Sequence, residues 1–236
     1  MKKHFKGLLM AVLSLAVAGM AMMFVACGDD DSSSTSSSST STSTSTSETD
    51  TSTDDKEYNL DFAEEDLYDI VGDGAIYATT IGQAELSTLT TVIDNAIGDA
   101  DIEYTSDSTL EATDVQAGDT VFIVVGMSSK GLGSAGVDQA SEEARAQAFA
   151  DIGDDINIIA CHLGEAERRG TTSDTAIEIV VGASKVTFVI DSGDGTGGDY
   201  DNMISDLCEE KGIPCYLYTK VSKLVTPFAY LLGIEE

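Results

Sequence analysis

With 12 Lys and Arg against 42 Asp and Glu in 236 residues, the chain carries a formal charge of −30 at neutral pH. A field of that sign repels nucleic acid, so no nucleic-acid partner is expected, and it opposes any contact with anionic surfaces. Residues 58–236 are enough for one domain with a substantial core.

Three domains of behaviour follow one another along the chain. Lys2, Lys3 and Lys6 precede an apolar run over 8–25, and small residues follow in Ala26-Cys27-Gly28. A basic start, an apolar centre and a small-residue end make a secretory signal. The Val25-Ala26-Cys27 ending resembles a bacterial lipobox, with Phe24 standing where such signals prefer Leu, Val or Ile. That resemblance implies cleavage before Cys27, lipidation of its sulfur and a place in the bacterial cell envelope, anchored on the extracytoplasmic side of a membrane. The other reading is an uncleaved anchor, since 18 apolar residues are just enough to span. Cleavage would remove three of the 12 cations and none of the 42 acids, leaving a net charge near −33. Residues 32–47 are all Ser or Thr, flanked by Asp. With nothing apolar to bury, 28–57 is expected to be a disordered tether reaching roughly 30 Å.

The folded part follows in order. Residues 75–80 (AIYATT) read as a strand, and 83–97 as a helix with Leu86, Leu89, Val92, Ile93, Ala96 and Ile97 on one face. Residues 102–105 make a short second strand and 111–115 a turn. The β-branched run 120–125 (TVFIVV) suits a strand buried on both faces. A Gly/Ser loop over 126–136 follows, then a helix over 138–152 with Glu142, Glu143 and Arg145 outward and Ala144, Ala148 and Phe149 inward. A strand is expected over 156–160, a polar loop over 165–174 and a helix over 175–183. Next come a strand over 186–190, an acidic Gly-rich loop over 191–199 and a helix over 200–211. A strand over 215–219 and a helix over 226–232 complete the chain.

Strands alternating with helices at this spacing predict an α/β fold: a three-layer Rossmann-like or flavodoxin-like domain, its sheet mainly parallel, with helices on both faces. The loops after successive strands then gather at one sheet edge, where α/β proteins bind ligands. This brings Lys130 together with Arg168 and Arg169, scarce cations in an acidic chain. Gly131-Leu132-Gly133-Ser134-Ala135-Gly136 fits GxGxxG, but five residues separate it from the strand and no acid ends the following strand, so the nucleotide reading is weak. Lys130 precedes the glycines, which excludes a P-loop. Backbone N–H groups near a helix start, with one Lys, can still cradle an anion; a ligand-free glycine turn is the competing reading. The cofactor, if any, is left unknown.

His162 is the sole histidine beyond the signal segment. Beside it only Cys161 could chelate, on the opposite strand face, so no metal site is expected. It reads as a hydrogen-bonding or acid–base residue at a strand end, or as a structural histidine. Asp191, Asp194, Asp199 and Asp201 lack EF-hand spacing and read as a solvated turn. Outside the cytoplasm Cys208 and Cys215 could pair across a helix-to-strand turn, leaving Cys161 odd. Two buried thiols are favoured over a disulfide there, because both positions look core-facing.

The stretch 126–138 (GMSSKGLGSAGVD), with His162-Leu163-Gly164, Arg168-Arg169-Gly170 and Ser173-Asp174, resembles an exported bacterial domain family of unknown function with lipoprotein members. The resemblance covers about residues 75–235 and implies that the two loops work as a pair. Met usually stands before the histidine in that family, so Cys161 departs from the pattern, which argues against its catalysing anything. The expectation is a lipid-anchored domain binding a small anionic ligand. Ser128, Ser129, Lys130, Gly131 and Gly133 form one wall, and His162, Arg168 and Arg169 the other, with Asp174 orienting an arginine. The alternatives are a hydrolase or transferase with His162 as general acid or base, and a surface interaction module.

Overall fold

The computed structural model describes Leu67 and residues 70–234. The signal segment, Cys27 and the Ser/Thr tether lie outside the described residues. Six strands form one sheet: β1 (Ile76–Ile81), β2 (Thr105–Ser106), β3 (Thr120–Val125), β4 (Asn157–His162), β5 (Val186–Ile190) and β6 (Cys215–Tyr218). Their order is β2-β1-β3-β4-β5-β6 and every pairing is parallel. The helices are α1 (Leu86–Ile97), α2 (Ser129–Ala135), α3 (Gln139–Asp151), α4 (Asp174–Gly182), α5 (Met203–Lys211) and α6 (Val225–Leu231). This is the expected α/β architecture, with the flavodoxin-like strand order.

Period-two alternation along the strands divides the core. Phe122 and Val124 of β3 join Leu89, Val92, Ile93 and Ala96 of α1 and Phe228 of α6. Val121, Ile123 and Val125 point the other way, toward Ala146 and Phe149 of α3 and Ile177 and Val181 of α4. Phe228 lies 5.2 Å from Phe122 and 5.3 Å from Phe188, centroid to centroid, which ties α6 to the centre of the sheet. No helix among the described residues is long and apolar enough to cross a membrane.

Four local expectations are corrected. The first helix starts at Leu86, not 83, because Gln83 and Glu85 hold left-handed backbone at φ 60° and 51°. Inside the segment expected to be a loop lies α2. Ser128 caps it by accepting the Gly131 N–H at 3.2 Å, and the tertiary position of this turn overrides the poor helix propensity of Gly131 and Gly133. On α3, Glu142 and Arg145 face inward, 2% and 6% exposed, while Ala144 is exposed. They are buried as a bonded pair, with Arg145 Nη2 2.7 Å from Glu142 Oε2, and this pairing is what permits the charges inside. The second strand is only two residues long, Thr105–Ser106, and shares just Thr105 with the expected span 102–105.

Candidate functional site

The strand order reverses between β1 and β3, because β1 is followed by β2 on one side while the chain then proceeds outward on the other. Ligands of open α/β sheets sit outside the carboxyl ends of the strands at such a point. Here that point is bounded by the loop 82–85, the loop 126–128 with α2, and the segment 163–173 after β4.

The β1–α1 loop is held in an uncommon conformation. Gly82, Gln83 and Glu85 all have positive φ, and Gln83 and Glu85 are two of only three non-glycine residues so placed among the described residues. Such backbone persists where its surroundings over-determine it. Glu142 Oε2 accepts the Gly82 N–H at 2.5 Å, Gln83 Nε2 donates to Ser108 O at 3.0 Å, and the Ala84 N–H donates to Thr80 Oγ1 at 3.1 Å. The Ser128 N–H donates to Gly82 O at 2.9 Å, joining this loop to the next. Helix α2 packs directly on it, since a Cβ at Gly131 would overlap Gln83 O. Gly131 therefore serves a close backbone approach in the described structure.

Arg168 spans all three loops. It closes a 3₁₀ turn, Ala166–Arg168, and its aliphatic stem lies across Gly164, where a Cβ would collide with Arg168 Cγ, and against Gly126. Its Nε donates to Glu85 Oε1 at 2.7 Å, with the side chains 33% and 18% exposed. Among the described residues no acceptor engages Arg168 Nη1 or Nη2. Glu85 Oε2 is buried without a hydrogen-bond partner among them.

Arg169, its neighbour, has the opposite fate: its guanidinium is fully buried. Nε donates to Asp174 Oδ1 at 2.8 Å, Nη1 to Gly198 O at 2.6 Å and Nη2 to Asp201 Oδ1 at 3.0 Å. The guanidinium carbon sits 5.2 Å from the Tyr200 ring centroid. Arg169 therefore fastens the loop after β5 to the loop after β4. Asp174 does orient an arginine, and that arginine is Arg169. Ser173 Oγ accepts the Met127 N–H at 3.0 Å, so the loops after β3 and β4 are bonded to each other.

His162, at the end of β4, is completely buried. Its Nδ1 lies 2.9 Å from Val125 O, and because a carbonyl can only accept, the proton is on Nδ1. Nε2 then carries the lone pair, and it has no partner among the described residues. Burial pushes the His162 pKa down to about 4, against the hydrogen bond to Val125 O, so the ring is neutral at neutral pH. Burial likewise pushes the Cys161 thiol up, which keeps it unreactive.

The structure thus brings the expected loops together but sorts their residues. Arg168 is part-exposed, Ser128 is half-buried as a cap, and Ser129, Lys130 and Gly133 are exposed on α2. His162, Arg169 and Ser173 form the buried floor. Sequence reasoning missed Glu85, Glu142 and Arg145. The Glu-x-x-Arg spacing on α3 was the available signal, because a helical i,i+3 pair can neutralise itself and be buried. The acidic loop serves its own backbone: Asp191 Oδ1 accepts the Gly193 N–H at 2.8 Å and Asp199 Oδ1 accepts the Ile204 N–H at 2.8 Å, at the start of α5. Among the described residues no three metal-binding side chains converge. A groove of about 540 Å³ lies elsewhere, between α3, α4 and α5, with Asp154, Glu178, Lys185 and Lys211 in its lining. Asp154 and Lys185 precede their strands, which places it at the opposite sheet edge from Arg168.

No curated protein matches the chain, and no solved structure matches it. The profile of one family, described as a domain of unknown function (DUF6305), matches residues 73–232, a span that takes in all six strands and all three loops of the site. The chain belongs to the DUF6305 family.

Proposed function

We propose that this protein is a lipid-anchored lipoprotein of the bacterial cell envelope whose α/β domain binds a small anionic molecule at the β1/β3 edge. The observation that supports it is Arg168: Nε is taken by Glu85, while the two terminal amino groups have no partner among the described residues and the side chain is one-third exposed. Two parallel N–H donors match a carboxylate or a phosphate. In a chain of net charge −30, such a cation is where an anion would be admitted. Glu85 orients the guanidinium, Arg169 and Asp174 hold the loop that carries it, and Lys130 on exposed α2 supplies a second charge. The N-terminal signal ending at Cys27 supports the membrane anchor.

The test is a thermal-shift screen of the full chain with inorganic phosphate, nucleotides, sugar phosphates and carboxylates. At a hundredfold excess over Kd, a ligand adds about 2.7 kcal/mol to the native state. Arg168→Gln should abolish that shift while leaving the unliganded Tm nearly in place, because the Glu85 pair is part-exposed and contributes little. If no anion produces a shift, or if Arg168→Gln shifts as much as the unaltered chain, the site is wrongly assigned. The anchor has a separate check: metabolic labelling with a fatty acid should mark the chain and should be lost in Cys27→Ala, and unlabelled Cys27 would rule the anchor out.

A further inference from the structure

The last turn of α5 closes on a paired cap. The Gly212 N–H donates to Glu209 O at 3.2 Å and the Ile213 N–H to Cys208 O at 2.9 Å, with Gly212 at φ 69°. This 5→2 and 6→1 arrangement folds the chain back over the turn it has just left. Two residues later Cys215 opens β6 in register with Thr187 of β5. Cys208 and Cys215 pack against the same core layer, beneath α4 and α5, and their side chains are in hydrogen-bond contact. Cys161 belongs to the other layer, beneath α1 and α6, and so cannot compete for either.

We propose that Cys208 and Cys215 form an intramolecular disulfide when the chain meets a disulfide oxidant. Closing the bond requires the sulfurs to move from hydrogen-bond contact to about 2.05 Å. The backbone already brings their two segments side by side. Cys215 is half-buried at the start of an edge strand and is the point of access, whereas Cys208 is 1% exposed. The Cys215 sulfur attacks the oxidant's disulfide as its proton passes to solvent, and one thiol is released. The hydrogen bond to Cys208 and burial push this thiol's pKa up, so the step is slow near neutral pH and quickens as pH rises. Cys208, beside Cys215 in the same core layer, then makes the second displacement. There the Cys208 sulfur attacks the Cys215 sulfur and expels the second thiol. Two protons and two electrons leave the cysteine pair, and the oxidant's disulfide is reduced to two thiols. The inference is independent of the anion site, which lies at the other end of the strands.

The test uses the full chain equilibrated with excess glutathione disulfide, blocked with N-ethylmaleimide and cleaved by trypsin. Lys211 separates the two cysteines, so peptides 186–211 and 212–220 should appear joined, lighter by two hydrogens than their sum, while Cys161 is alkylated once the chain is unfolded. The joined species should vanish in Cys208→Ser and Cys215→Ser. Reduction by a phosphine should lower the Tm of the oxidised chain by about 5 °C or more, with no change in the Cys208→Ser/Cys215→Ser double variant. Recovery of Cys208 and Cys215 on separate peptides, each alkylated or each carrying glutathione, would overturn the proposal.

Discussion

Arg145→Ala is expected to lower the folding free energy by about 3–5 kcal/mol, the range for breaking a buried ion pair from one side. Arg145 satisfies more than its partner on the helix. Besides Glu142 Oε2 at 2.7 Å, its guanidinium donates to Leu110 O at 3.1 Å and to Thr80 O. Alanine would leave Glu142 buried with one donor, the Gly82 N–H, and would leave two carbonyls without theirs. Urea unfolding of the full chain measures the loss. A paired substitution, Arg145→Met with Glu142→Gln, should cost clearly less than Arg145→Ala, because no uncompensated charge remains inside. A cost under about 1 kcal/mol for Arg145→Ala would mean that the pair is not what holds the end of β1.

The second large effect is a pH dependence. The unfolded chain protonates His162 near 6.5, and the folded chain only near 4. Between those values the unfolded state binds more protons, so stability rises with pH. The contribution is fully present above 6.5 and is lost as pH falls toward 4. It amounts to about 2 kcal/mol by pH 5 and about 3 kcal/mol at the lower limit. Asp107, Asp194 and Asp201 have pKa values lowered from the ordinary carboxylate value, so their losses fall below that window. Urea unfolding at several pH values from 7.5 to 5 should therefore show the slope, and His162→Gln should flatten it. Equal slopes in the two proteins would show that His162 is not held neutral.

The fold was largely legible because its strands speak plainly. Five successive apolar residues in β3 could satisfy two core layers only at the centre of a parallel sheet, and the residues of α1 repeat with helical period. The site was legible as a place but not as a set of contacts. Arg168 and Arg169 are identical neighbours in the sequence, and only the fold makes one a buried fastener and the other a part-exposed donor. Asp174, five residues from Arg169, was within reach of a local pattern, but the other carboxylate partners lie 83 residues upstream at Glu85 and 32 downstream at Asp201. The outward assignment of Glu142 and Arg145 failed because charge was weighed residue by residue, whereas a bonded pair is buried as a unit. Helix α2 was missed for a related reason: its glycines are poor helix formers, and one of them is there for contact with another loop.

The margins of the sheet bear on how copies of this protein behave beside one another. Its two outer strands, β2 and β6, are two and four residues long, while the inner ones have five or six. A stranger's strand seeking unpaired backbone therefore finds little template on either side. With the strong mutual repulsion of a chain at −30, this makes edge-to-edge aggregation unfavourable even where molecules are crowded.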